Sequence, residues 1–200
     1  MIVKTPPLGW NSWNTFSHDI NEDLIKTLEK DLEKYENKSA VLYVTESDVM
    51  SGTVVGNTNY FYPEKTVSRA EFVVMAMHAL GMDKDETVLK TSFADDAEIA
   101  SYMKGYVQRA YEKGYVSAVG SKGELYFKPG EIISRGEAAV ILSNLIGYAN
   151  QKLPVSFTDT VPAFAEDAVV SLYSLGILQT PDGSVQASAA MTRLSPPARG

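Results

Sequence analysis

Three arginines stand in the same local setting. Arg69 lies in Val67-Ser68-Arg69-Ala70-Glu71, Arg135 in Ile133-Ser134-Arg135-Gly136-Glu137, and Arg193 in Met191-Thr192-Arg193-Leu194-Ser195. In the first two, a Ser is followed three residues later by a Glu, the pattern of a capping box. There the hydroxyl accepts from the third helical amide and the carboxylate reaches back to the Ser amide. Ser68, Glu71, Ser134, Glu137 and Thr192 are therefore assigned to helix starts. The arginine between them has no part in a cap. A planar guanidinium in the first helical turn, beside amides and a dipole that favour an anion, is a fork for a carboxylate. Arg69, Arg135 and Arg193 are candidate ligand-binding residues. The competing use of each is an internal ion pair to a neighbouring segment.

Little else in the chain has the types or spacing for chemistry. The sequence has no cysteine, which removes disulfides, thiolate zinc sites and a cysteine nucleophile. Of its two histidines, His18 has no evident partner, and His78 falls in an apolar helical pattern that gives it a structural or surface place. Asp83/Asp85 and Asp95-Asp96 with Glu98 are acidic, but carboxylates adjacent in sequence are solvated loop charge unless further oxygen ligands join them. Gly114 to Gly123 lacks the glycine order and the lysine of a phosphate loop. No catalytic residue, no metal ligand and no cofactor is assigned.

The elements that position the arginines repeat. Tyr60–Gly81 lies over Tyr126–Gly147 without a gap, with the Tyr-Phe pair, Pro, Ser-Arg, Glu, one Val and the closing Gly identical. A third, weaker copy is marked by Met191-Thr192-Arg193. Periods of this length indicate an array of similar supersecondary units. Each unit opens on a helix. Ile99, Tyr102, Met103, Tyr106, Val107, Ala110 and Tyr111 recur at helical spacing before Gly114, and Phe164, Ala168, Val169, Leu172, Tyr173 and Leu175 before Gly176. In the first copy the counterpart is short, with Ala40, Val41, Val44, Val49 and Met50 in the matching places. Gly-rich connectors follow at 51–59, 117–125 and 179–184, then a short extended piece, a proline and a second helix. Phe72, Met75, Ala76, Ala79 and Leu80 are the expected buried face of that helix in copy one. Ala138, Ile141, Leu142, Leu145 and Ile146 are its counterpart in copy two. In copy three Pro196-Pro197 would stop the helix. Phe93-Ala94-Asp95 opens copy two and Phe157-Thr158-Asp159 opens copy three; copy one has no such opening. A separate helix is expected from Asn21 to Lys38 on the stripe Leu24, Leu28, Leu32 and Tyr35.

Two hundred residues at 44% hydrophobic content can bury a proper core. A net charge of −7 argues against non-specific nucleic-acid binding, yet leaves room for an anion held by local arginines. No apolar run approaches the ~20 residues that span a bilayer, so membrane insertion is not expected. Met1 to Trp10 lacks the form of a secretory leader.

The ordered recurrence of Phe-x-Asp, an aromatic-led helix, a Gly-rich loop, a Phe-x-Pro step and a Thr/Ser-Arg-Ala-Glu helix start resembles the S-layer homology domain over about residues 38–195. The resemblance implies a mainly α fold of tandem helical repeats in a pseudo-threefold arrangement with short extended, Gly-rich connectors. The implied units are 26–81 with an atypical start, 93–147, and a truncated 157–195. It further implies a non-catalytic, extracellular anchor on the bacterial cell wall. Its partner would be an anionic secondary wall polysaccharide, often carrying ketal-linked pyruvate, met at the motif arginines. Tyr102 and Phe164 occupy the place of an aromatic common in the family. Tyr102 is a further candidate ligand contact through its hydroxyl or ring, whereas Phe164 is expected in the core.

Residues 1–25 differ from the rest. Thr5-Pro6-Pro7-Leu8-Gly9-Trp10-Asn11-Ser12-Trp13-Asn14 resembles the opening of family 27 α-galactosidases, whose β/α barrel needs ~250 residues. The chain passes into repeat-like sequence before the two carboxylates of a retaining glycosidase could appear. This segment reads as a remnant or junction of a missing catalytic module, and enzymatic activity is not expected. A glycosidase remnant and a protein-interaction module are the alternatives to an anchor.

Overall fold

A computed structural model describes residues 38–55, 58–147, 154–180 and 182–193. The galactosidase-like segment, nearly all of the expected Asn21–Lys38 helix and everything after Arg193 lie outside the described residues. The chain divides into two compact units between Tyr62 and Pro63, inside the first expected repeat.

In the first unit, helix α1 (Lys38–Glu46) turns at Asp48, and the amides of Val49 and Met50 both donate to Val44 O at 2.9 Å. Strands β1 (Thr53–Val55) and β2 (Thr58–Tyr60) form an antiparallel hairpin, with Thr53 opposite Tyr60.

The second unit holds α2 (Arg69–Ala79), α3 (Ser101–Glu112), the hairpin of β3 (Val119–Ser121) and β4 (Glu124–Tyr126), α4 (Arg135–Ile146) and α5 (Glu166–Ser174). Helices α2 and α4 begin at the expected capping boxes, and in both the Ser and Glu side chains cap reciprocally. The ends of α3 and α5 are built alike. Gly114 and Gly176 take positive φ, and the next two amides share one carbonyl, Ala110 O or Leu172 O. Asp48 occupies the matching place after α1 with φ 58°, a conformation that Asp tolerates better than most residues. The connectors hold more order than their composition suggests. Lys122 and Gly123, both at positive φ, close the β3–β4 hairpin as a type I′ pair.

The Phe-x-Pro steps are fixed from a distance. Asp95 accepts from the amides of Phe127 (2.9 Å) and Lys128 (2.6 Å), and Asp159 accepts from Val185 (2.7 Å) and Gln186 (2.8 Å). Val185 is thus the structural counterpart of Phe127. The middle residue of each step, Tyr62, Lys128 or Gln186, has φ between 51° and 61°.

The three arginine motifs are joined to one another. Val67 N donates to Met191 O, Met191 N to Ile133 O and Ile133 N to Val67 O, at 2.8 to 3.0 Å, so the bonds run in a closed cycle. A second cycle surrounds it: Arg69 N to Glu131 O, Arg135 N to Ala189 O and Arg193 N to Lys65 O. Isolated bridges pair Ser68 with Ile132, Ser134 with Ala190 and Thr66 with Thr192. The residues of α2 and α4 expected in the core by periodicity are not all there. Helix α2 buries Ala70, Val73, Val74, Ala76 and Met77, whereas Ala79 and Leu80 are exposed. Its predicted face is rotated because α2 packs against both α3 and α4, and an almost wholly apolar helix carries no single stripe to mark two contacts. Ile146 is likewise exposed at the end of α4. Phe164, expected in the core, is 62% exposed: it lies before α5, and the core is filled instead by Ala165, Ala168, Val169, Leu172 and Val185.

Candidate functional site

Arg69 and Arg135 leave the first turn of a helix and reach toward the next segment of the cycle. Arg69 lies over the Phe127 ring, with the guanidinium carbon 5.2 Å from the centroid, and its Nη2 donates to Ser117 O at 2.7 Å. Its Nε is buried and has no hydrogen-bond partner among the described residues. Burial lowers the Arg69 pKa below the ordinary arginine value, and the carboxylates of Glu137 and Glu131 oppose that shift. The internal partner of Arg69 is therefore a backbone carbonyl and an aromatic face, with carboxylates at longer range.

Arg135 is held differently. Its Nε donates to Val185 O at 2.9 Å, so the guanidinium lies on the step itself. Burial lowers its pKa, and Asp159 opposes. Beside Arg135 opens a cavity of about 300 Å³. Helix α4 contributes Arg135, Ala138 and Leu142 to its wall; the opposite side is Leu172, Ile177 and Gln179. Phe72 and Met191 complete it. The lining is mostly apolar with one cation at the side, a combination suited to a ligand with a carboxylate and a hydrocarbon or sugar face.

Arg193 follows the same rule at its amide, and burial lowers its pKa against the field of Glu71. Glu71 also acts on Tyr102: burial first, then the Glu71 charge, raise the pKa of this half-buried hydroxyl. Tyr102, Glu71 and Arg193 thus share one electrostatic neighbourhood. Glu71 itself is held below the usual carboxylate range. Burial opposes, but hydrogen bonds from the Ser68 amide and hydroxyl and the charge of Lys65 prevail. Thr192 sits in the bridge with Thr66, and the helix it was expected to cap lies outside the described residues.

Periodicity missed several residues that shape this region. Asp95 and Asp159 were visible as motif members, but their roles as caps on distant amides were not. His78 accepts or donates at 2.6 Å to the Tyr106 hydroxyl, an interhelical contact with no sequence signal. No group of three or more His, Asp or Glu that could hold a metal exists among the described residues. No helix among them is long and apolar enough to cross a membrane.

Residues 30–73 and 92–139 match the family model of the S-layer homology domain, spans that include Arg69 and Arg135. The chain is 31% identical over 108 residues to "Exoglucanase XynX" of Acetivibrio thermocellus, covering 52% of the chain and 10% of that protein. It is 29% identical over 156 residues to "Endoglucanase" of Bacillus sp. (strain KSM-635), covering 74% of the chain and 15% of that protein. The chain therefore spans a small fraction of the length of the curated relatives it matches. The resemblance of the opening segment to α-galactosidases has no support from these matches.

Proposed function

We propose that this chain is a non-catalytic anchor that holds a larger protein on the bacterial cell wall through an anionic wall polysaccharide. S-layer homology domains typically anchor proteins to the cell wall, and two segments of the chain match that family. A pseudo-threefold relation among the three arginine motifs is supported by the cyclic bonds that join 65–69, 131–135 and 189–193. The carrying observation is the cavity beside Arg135, in which a fixed cation borders an apolar wall. Arg69, Arg135 and Arg193 are the cations of this reading, and Tyr102, which shares the field of Glu71 with Arg193, is its aromatic contact. A ketal-linked pyruvate would present the carboxylate and methyl group that such a wall suits. The glucanase names of the relatives are compatible with an enzyme as the anchored cargo, carried by other parts of a longer protein.

The test is co-sedimentation with Gram-positive sacculi before and after removal of the secondary polysaccharide. Binding that disappears on stripping, and that falls as salt screens the contact, is the expected result. Equal binding to both preparations would transfer the reading to peptidoglycan or to protein. Turnover of an α-galactoside by the purified chain would restore the glycosidase reading.

A further inference from the structure

The arginines are not equivalent: Arg135 borders a cavity, whereas Arg69 closes on a ring and a carbonyl. At the Arg69 position the step beneath the guanidinium is Phe127, fully buried, whose ring lifts the fork outward until Nη2 closes on Ser117 O. At the Arg135 position the counterpart is Val185. The smaller side chain lets the guanidinium lie down on Val185 O, bonded through Nε alone. The counterpart of Ser117 is Gln179, which lines the cavity, and no hydrogen bond joins it to Arg135 among the described residues.

The motif carboxylates differ in the same sense. Arg69 has the Glu of the next motif, Glu137, in its field, and Arg193 has Glu71. The next motif after Arg135 is the third, where the place of the Glu is taken by Ser195. The carboxylate that does face Arg135, Asp159, already accepts two backbone amides. Each guanidinium is bonded at one nitrogen, but the one next to a cavity and without a motif carboxylate has an unspent preference for an external anion.

On the anchoring reading above, we infer that of Arg69 and Arg135 the chain takes its polymer carboxylate at Arg135, whereas Arg69 is a clasp between segments. Arg135 contacts the ligand; Arg69 positions Ser117 and Phe127. The asymmetry is set by Phe127 against Val185, and by Glu137 where the third motif's sequence has no Glu.

The experiment compares the whole chain with Arg135→Ala and Arg69→Ala. Binding is read by sedimentation with polysaccharide-bearing sacculi and by titration with a hexoside carrying a 4,6-linked pyruvate ketal, alongside urea unfolding. Arg135→Ala is expected to weaken binding by about tenfold or more, the worth of a charge-assisted hydrogen bond, with the urea midpoint lowered only as far as loss of the Nε–Val185 O bond requires. Arg69→Ala is expected to unfold at lower urea yet bind within about threefold of the parent, because only a clasp is removed. The reverse order of binding losses would overturn the assignment and leave the anchor standing. Residue-resolved modification of the parent chain by phenylglyoxal, read by peptide mass spectrometry, needs neither a ligand nor a folded variant. Arg135 should react faster than Arg69, and equal or inverted reactivity would overturn the asymmetry. If the parent binds neither sacculi nor hexoside, the anchoring reading fails, and the modification order alone decides whether the two arginines differ.

Discussion

Asp95 reaches across 32 residues to accept the amide proton of Phe127 at 2.9 Å, while its second oxygen takes that of Lys128 at 2.6 Å. Both oxygens are used inside a nearly closed site. Truncation would strand two amides that water reaches poorly. Asp95→Ala should cost about 3 kcal/mol, and Asp95→Asn nearly as much, since an amide offers one acceptor where two are needed. The urea midpoint measures it; an unchanged midpoint would mean that the step is held by packing alone.

Gly105 lies inside α3, where helix propensity would favour alanine by ~1 kcal/mol. A Cβ there would stand 2.3 Å from Asp85 O, a backbone atom that cannot swing away. Gly105→Ala is therefore expected to destabilise the chain despite its better propensity. Thermal unfolding decides, and any rise in Tm would show that the 82–92 linker yields.

Acid should reveal a second contact. Asp96 Oδ2 accepts from Lys104 Nζ at 2.6 Å, and Oδ1 accepts from the Thr91 amide and hydroxyl. The Lys104 bond first, and the Thr91 bonds with it, hold the Asp96 carboxyl at about 2, below its ordinary 3.8. A depressed carboxyl contributes stability above its unfolded pKa and loses it as pH falls toward the folded one. The loss should appear between about pH 4 and pH 2 and be reduced in Asp96→Asn. Unfolding free energy measured across that range, parent against variant, supplies the check.

Lys128 holds φ at 61°, a region that costs a side-chain-bearing residue about 1 kcal/mol. Its ammonium meets Glu131 at 2.5 Å on an exposed surface, where such pairs contribute little. Lys128→Gly should raise stability by about 0.5–1 kcal/mol. A decrease would assign more to the ion pair than its exposure allows.

Ser68 and Ser134 accept from Glu71 N at 3.3 Å and Glu137 N at 3.2 Å. Removing either hydroxyl should cost about 0.5–2 kcal/mol. Binding to sacculi should persist in the folded fraction of each variant, because the cap orients the helix start and not the guanidinium. Loss of binding without loss of stability would give the hydroxyl a ligand contact.

What the sequence determined by itself is what acts over three or four residues, or what repeats. The capping boxes were legible because Ser and Glu meet across one turn, and the ends of α3 and α5 because Gly114 and Gly176 suit positive φ. The offset between copies marks the recurring Ser-Arg motifs at Ser68-Arg69 and Ser134-Arg135. The fates of individual side chains depended on segments far away in the chain. Phe164 is exposed because Ala165 and Val169 occupy the core beside Val185 and Ala187. The sequence offered the same motif around Arg69 and Arg135. Only the tertiary structure placed a ring under one and a valine under the other, because the residue beneath each arginine comes from 50 or more positions further along. A local pattern carries the information for local hydrogen bonds; the partner of a long side chain is chosen by whichever distant backbone the fold brings within reach.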